Sequence, residues 1–171
     1  MASDAAAAVR VRRIGPDDWQ AFRDLRLRAL AAEPWAFGST LAREQAFTEA
    51  HWKQRIFRDS PDAPAMTWVA ERRGSPPLGM VASARMDGTF HIFAMWVAPE
   101  RRREGIAGRL LDEALRWVEG IAPGSSIRLE VNPRAVAAVR LYESRGFRAT
   151  GTSRPLDHAP TERVVEMIRP G

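Results

Sequence analysis

No cysteine occurs in the 171 residues, lysine occurs once, at Lys53, and tyrosine once, at Tyr142. The missing cysteine excludes disulfides, thiolate metal sites and a cysteinyl covalent intermediate. It also suits an intracellular chain, and the cytoplasm is the expected location. No apolar run approaches the roughly 20 residues that a membrane-spanning helix requires, so no membrane partner is expected. Residues 1–9 hold an alanine run broken by Asp4, without a basic stretch or a long apolar one, and do not read as a signal peptide. The expected organisation is a flexible tip at 1–8 followed by a single domain over 9–171.

With one lysine, arginine supplies nearly all of the positive charge behind the formal net +5. The arginines are mostly scattered singly, the pattern of a solvated surface, and only Arg101, Arg102 and Arg103 form a dense run. A nucleic-acid partner is therefore not expected, although a small anion is. His51, His91 and His158 lack metal-ligand spacing, so no metal is expected either. The remainder, 45% hydrophobic and 27% charged, is ordinary for a soluble globular domain.

Apolar and basic residues alternate over 9–14 as in a half-buried strand, and Gly15-Pro16-Asp17-Asp18 then opens a helix. Trp19, Phe22, Leu25, Arg26 and Ala29 recur at helical spacing, and this helix ends near Glu33-Pro34. A second helix is expected over 48–57, then strands over 66–71, 78–86 and 90–97, the last two joined by the hairpin dipeptide Asp87-Gly88. After Pro99 the period becomes helical through Ile106, Leu110, Leu111, Ala114, Leu115, Val118 and Ile121. A strand over 126–131 follows, then a helix capped by Asn132, started by Pro133 and stopped by Gly146. Two last strands, 147–153 and 162–168, flank a loop over 154–161. The order β-α-α-β-β-β-α-β-α-β-β implies an α/β (α+β) fold: a mixed, mostly antiparallel sheet of about seven strands flanked by about four helices. Its one parallel crossover, 90–131, places a ligand site beyond Val97 and Val131.

At that end lies Arg102-Arg103-Glu104-Gly105-Ile106-Ala107-Gly108-Arg109, with Arg-x-x-Gly-x-Ala at Arg102, Gly105 and Ala107. A helix N-terminus presents free N–H groups, and small residues let an anion approach them. A dinucleotide-binding turn would need a small residue at Leu110, and the antiparallel strands upstream also disfavour it. Met95-Trp96-Val97 with this turn, followed by Leu129-Glu130-Val131-Asn132-Pro133 and Leu141-Tyr142-Glu143-Ser144-Arg145-Gly146-Phe147, resembles the GCN5-related N-acetyltransferase superfamily over nearly the whole chain. The motif style is similar to the branch that acetylates ribosomal and other protein N-termini.

The resemblance implies acetyl-CoA as donor and direct transfer to a primary amine of a small molecule, peptide or protein. It places the pyrophosphate on the amides of Arg103, Glu104, Gly105, Ile106, Ala107 and Gly108, with Arg102 and Arg109 alongside, and pantetheine against Met95 and Val97. Ala135 stands where many relatives carry an asparagine that steadies the cofactor arm. Tyr142 matches the phenol near the cofactor sulfur; phenols titrate not far above thiols, so a phenol can donate a hydrogen bond or a proton to a developing thiolate at modest cost. Glu130 matches a catalytic glutamate, and His91, on a strand with Phe93, Met95 and Val97, is the rival base. The acceptor pocket is expected from the first two helices, Trp35 and Phe37 in their connection, and the 154–161 loop with Asp157 and His158; Glu33 and Asp157 are candidates to attract an amine. A homodimer and a non-catalytic acyl-CoA-binding module, or transfer of another acyl group, remain the alternatives of state and role.

Overall fold

The computed structural model describes residues 8–171, so of the expected tip only Ala8 is among the described residues. The basic-apolar alternation forms β1 (Arg10–Ile14), and the helical stripe forms α1 (Trp19–Ala32), stopped where Pro34 follows Glu33. Two short helices follow, α2 (Leu41–Gln45) and α3 (Glu49–Ile56), each started by a threonine hydroxyl, of Thr40 and Thr48, accepting a backbone N–H. The sequence reading had only the second of them. Strands β2 (Ala65–Glu71), β3 (Gly79–Met86) and β4 (Thr89–Val97) form the meander. Asp87 and Gly88 both take positive φ, as a tight hairpin turn of this hand requires. Then come α4 (Ile106–Ile121), β5 (Ile127–Val131), α5 (Val136–Ser144), β6 (Arg148–Leu156) and β7 (Ala159–Arg169).

The seven strands lie in the order β1-β2-β3-β4-β5-β7-β6, antiparallel except for the β4–β5 pair. Helix α4 covers one face, over a core including Trp68, Val81, Phe90, Ile92, Leu110, Leu111, Leu129 and Met167. Helices α1 and α3 cover the other, over Phe22, Leu25, Leu30, Trp52, Ile56, Met80 and Trp96. Each fully buried side chain of this size contributes about 1.5–3 kcal/mol.

Two expected element boundaries need correction. The 154–161 loop is a hairpin: β6 runs to Leu156, β7 starts at Ala159, and only Asp157 and His158 turn the chain. Pro155 is accommodated because β6 is an edge strand, where a missing N–H is tolerated. Helix α5 starts at Val136 and not at Pro133, because Ala135 is still outside helical geometry and the Asn132 side chain accepts from Arg134 N in a local turn.

A bulge in β4 sets the geometry of everything beyond it. Phe93 pairs with Ala82 and Trp96 with Met80, so β4 carries one extra residue there, and Ala94 adopts φ 54°. The alternation of faces flips at that point. His91 and Phe93 stay on the α1 face and Trp96 joins them, whereas Met95 and Val97 pack with the α4 core. The expected shared face of His91, Phe93, Met95 and Val97 is thereby broken, since period-2 alternation has no means of registering an inserted residue.

Candidate active site

Strands β4 and β5 pair only through Phe90↔Ile127, His91↔Arg128 and Ile92↔Leu129, although both run further. Beyond this point β5 keeps its antiparallel partner to Val131↔Val165 while β4 stays with β3. The sheet therefore splays, and a cavity of about 480 Å³ passes through the wedge. Ala135, Ala138 and Tyr142 line it from the α5 side, and Arg26, Phe37 and Ser39 from the α1–α2 side. Its volume suits a small molecule or a cofactor arm.

Beside the wedge, the turn into α4 is held open by backbone conformation. Arg103 has φ 67° and Gly105 φ 75°. The first helical bond of α4 is Arg109 N to Gly105 O, so the N–H groups of residues 103–108 donate to no acceptor among the described residues. These donors and the positive end of the helix make a cradle for an anion. Nothing lies within 4 Å of a Cβ added at Gly105, whereas one at Gly108 would stand 3.1 Å from the Arg145 guanidinium, itself held by Asp112. The cradle therefore fits a pyrophosphate, and the wedge fits the arm that leads from it.

The arginines are not all directed there. Arg102 donates to Val97 O and to the Glu33 carboxylate, which also accepts from Trp96 Nε1 at 2.7 Å. Arg101 pairs with Glu104. Arg103 and Arg109 make no ion pair among the described residues and are the cations free to meet an anion. Glu33, expected to attract an amine, is instead tied up: burial raises its pKa, but Arg102 and Trp96 outweigh that and hold it below the usual carboxylate range.

Tyr142 is 5% exposed, packs edge-on against Phe147, and its hydroxyl makes no hydrogen bond among the described residues. Burial raises its pKa, so the phenol keeps its proton. His91 and Glu130 lie on the opposite, α1-side face of the sheet. Burial, then the charge of Arg128, lowers the His91 pKa and favours the neutral ring, while Glu166 and Glu130 pull weakly the other way. Glu130 accepts from Arg154 Nε at 2.8 Å and Nη2 at 2.6 Å. The structure thus gathers all three candidates at one wedge, with Tyr142 on one side and His91 and Glu130 on the other.

The α1–α2 connection is stitched to the far strands. Asn132 Nδ2 donates to Trp35 O and Glu162, His158 Nε2 lies 3.2 Å from Pro34 O, and Arg134 covers the Trp35 ring. Phe37 is buried under Arg26. Sequence reasoning missed Arg154 as the partner of Glu130, because the pairing depends on a hairpin it read as a loop. It also missed the cavity role of Arg26, although an arginine within an apolar stripe is itself a signal of a buried ion pair.

The sequence profile of the acetyltransferase (GNAT) family matches residues 20–147. The peptidyl-lysine N-acetyltransferase YjaB of Salmonella typhimurium is 31% identical over 110 residues, 64% of this chain and 68% of its own. A GNAT acetyltransferase from Streptococcus pneumoniae superposes with a TM-score of 0.75 at 19% identity, covering 96% of this chain and 100% of its own. The Salmonella typhimurium acetyltransferase YncA, solved with acetyl-CoA, gives 0.72 at 16% identity over 96% and 94%. Profile, relative and fold agree with the splayed sheet and its anion cradle: the chain belongs to the acetyltransferase (GNAT) family and is an acetyl-CoA-dependent N-acetyltransferase.

Proposed function

We propose that this enzyme transfers the acetyl group directly to a primary amine of a small molecule or peptide held on the α1–α2 side of the wedge, with Tyr142, His91 and Glu130 as its working side chains. The observation that carries the reading is the cavity through the splay, with a protonated phenol on one face of the sheet and proton acceptors on the other. The N–H groups of Arg103, Glu104, Gly105, Ile106, Ala107 and Gly108 hold the pyrophosphate, with Arg103 and Arg109 adding charge; Arg102 shapes the turn through Val97 and Glu33. Backbone of Met95 and Val97, unpaired toward β5, receives pantetheine beside Ala135 and Trp96 anchors the strand to Glu33.

Acetyl-CoA supplies an acetyl group activated as a thioester. Tyr142 keeps its proton on Oη and donates a hydrogen bond to the departing sulfur, which leaves as the thiolate while the amine gives its proton to the base. His91 is held neutral and takes a proton from the amine side, while Glu130 and its partner Arg154 set the charge around the entrance. An α-amine near pKa 8 is partly neutral at physiological pH and asks little of such a base, unlike a lysine amine near about 10.4. YjaB acts on peptidyl-lysine, so a lysine peptide belongs in any acceptor panel. The cytoplasm is the proposed location, in keeping with a cysteine-free chain.

The test is calorimetric titration of acetyl-CoA followed by thiol release over amino acids, peptides, polyamines and aminoglycosides. Binding with thiol release on one amine class is the expected result. Binding without release on any amine would leave the protein a cofactor-binding module, and no binding would mean that the turn into α4 is only a turn.

A further inference from the structure

Every charged side chain that lines the cavity already has an opposite charge of its own. Arg26 is paired with Glu44, Arg128 donates to Glu166 at 2.9 Å, and Arg154 clasps Glu130 at 2.8 and 2.6 Å. Glu166 accepts a further hydrogen bond from the Thr150 hydroxyl at 2.9 Å. The lining itself is balanced, Arg26 and Arg128 standing against Glu130 and Glu166, and burial favours the neutral ring of His91. The nearby carboxylates of Asp87 and Asp157 are not part of the lining. An acceptor with a second ammonium or a carboxylate therefore meets no unpaired counter-charge there, and binding it would break a pair or leave its own charge uncompensated.

What the lining leaves without a partner is apolar. Four large apolar side chains stand exposed among the described residues, Met86 at 43%, Phe93 at 37%, Ile121 and Val136, and the first two line this cavity. Met86 pairs with Thr89, Ala84 with His91 and Ala82 with Phe93, so Met86, His91 and Phe93 share one sheet face. His91 stands between the other two, with Phe93 two residues, about 7 Å, further along the strand. The Ala94 bulge turns Met95 and Val97 to the opposite face, where the cofactor arm is proposed, and so leaves Phe93 and Met86 to the acceptor. Apolar side chains scattered over a convex surface would mean little, whereas two that flank a candidate base inside a concave site offer surface for an apolar ligand to cover.

We propose that Phe93 and Met86 form an apolar subsite on either side of His91, so that the acetylated amine carries a large apolar substituent, aromatic or alkyl, close to its nitrogen. The inference rests on the acetyltransferase reading and narrows its acceptor.

Two measurements on the full chain test it. Thiol release is compared for 2-phenylethylamine, the straight-chain amines from ethyl to hexyl, ethanolamine, spermidine, a lysine peptide with a blocked N-terminus, and peptides beginning Phe-Gly or Asp-Gly. Independently, the N-acetyl derivatives of 2-phenylethylamine and ethanolamine are titrated calorimetrically into CoA-saturated protein. The expected result is a rise of about two- to fourfold in kcat/KM per added methylene, and a preference of at least about tenfold for the phenyl over the hydroxyl compound in both kcat/KM and affinity. The Phe-Gly peptide against the free amine then tells whether the apolar amine is a chain end or a small molecule. Phe93→Ala, and independently Met86→Ala, narrows the phenyl-to-hydroxyl ratio without altering acetyl-CoA affinity. Equal or better use of ethanolamine, spermidine, the Asp-Gly peptide or the lysine peptide overturns the proposal, as does a ratio that survives both substitutions or a CoA-loaded protein that does not bind N-acetyl-2-phenylethylamine. Failure of the acetyltransferase reading looks different: no thiol release with any amine, whatever the N-acetylamines do in the titration.

Discussion

On the α4–α5 side of the splayed sheet the polar groups are backbone N–H donors at residues 103–108, which have no acceptor among the described residues. On the α1–α2 side they are side chains locked into ion pairs, with Arg26 and Glu44 buried and Glu33 clasped by Arg102 and Trp96. The first arrangement holds no ion pair of the scaffold, so its loss leaves the packing of the two cores in place. The second is part of the scaffold, since a buried charge without its partner is expensive. Substitutions on the two sides should therefore separate into losses of binding and losses of stability.

The largest expected effect is Glu44→Ala. It strands Arg26 in the core and should cost about 3–5 kcal/mol, lowering Tm on the order of 10 °C in a calorimetric scan. Arg103→Ala on the other side should leave Tm nearly unchanged. Equal Tm losses would break the contrast. Next is Tyr142→Phe, which removes a hydroxyl that has no partner to lose: kcat/KM should fall about 100-fold in a thiol-release assay while Tm and acetyl-CoA affinity hold. A comparable loss of stability would instead make Tyr142 a packing residue.

Gly105→Ala adds a methyl group into open space but places it at φ 75°, where a side chain costs about 1–2 kcal/mol. Acetyl-CoA affinity should fall about tenfold by titration. The smallest effect is in pH. His91 is depressed below its ordinary 6.5, so if it is the working base kcat/KM stays level as pH falls through 6.5 and declines only below, and His91→Gln removes that limb. The stability sign agrees: the unfolded state binds the proton first, so the contribution is full above 6.5 and is lost as pH falls through the folded value.

The α4–α5 side could be read in advance because its determinants are local. Gly105 and Ala107 follow a strand and precede an apolar helical stripe, and α4 begins at Ile106 as that pattern requires. The α1–α2 side was only half legible. The stripe through Trp19 and Ala29 located α1, but the fate of Arg26 depended on Glu44, eighteen positions away in a five-residue helix too short for a periodic signal. Hairpin β6–β7 carries Pro155 on the edge strand β6 and Pro160 at the start of β7, beyond the residues of β7 that pair with β5, so neither proline removes a ladder bond inside the sheet.

By itself, the sequence determined the order of the seven strands and of the longer helices, the parallel crossover and the turn that presents free N–H groups, since periodicity, caps and glycine conformations act within a few residues. The absence of cysteine likewise excluded an acyl-cysteine route. Tertiary structure alone decided which face each β4 side chain occupies, because one inserted residue at the Ala94 bulge reverses the alternation for Met95, Trp96 and Val97. It also decided the partners of Glu33, Glu130 and Arg26. An ion pair is a meeting of residues distant in sequence, and only the closed fold fixes their separation and removes the water that would otherwise screen them.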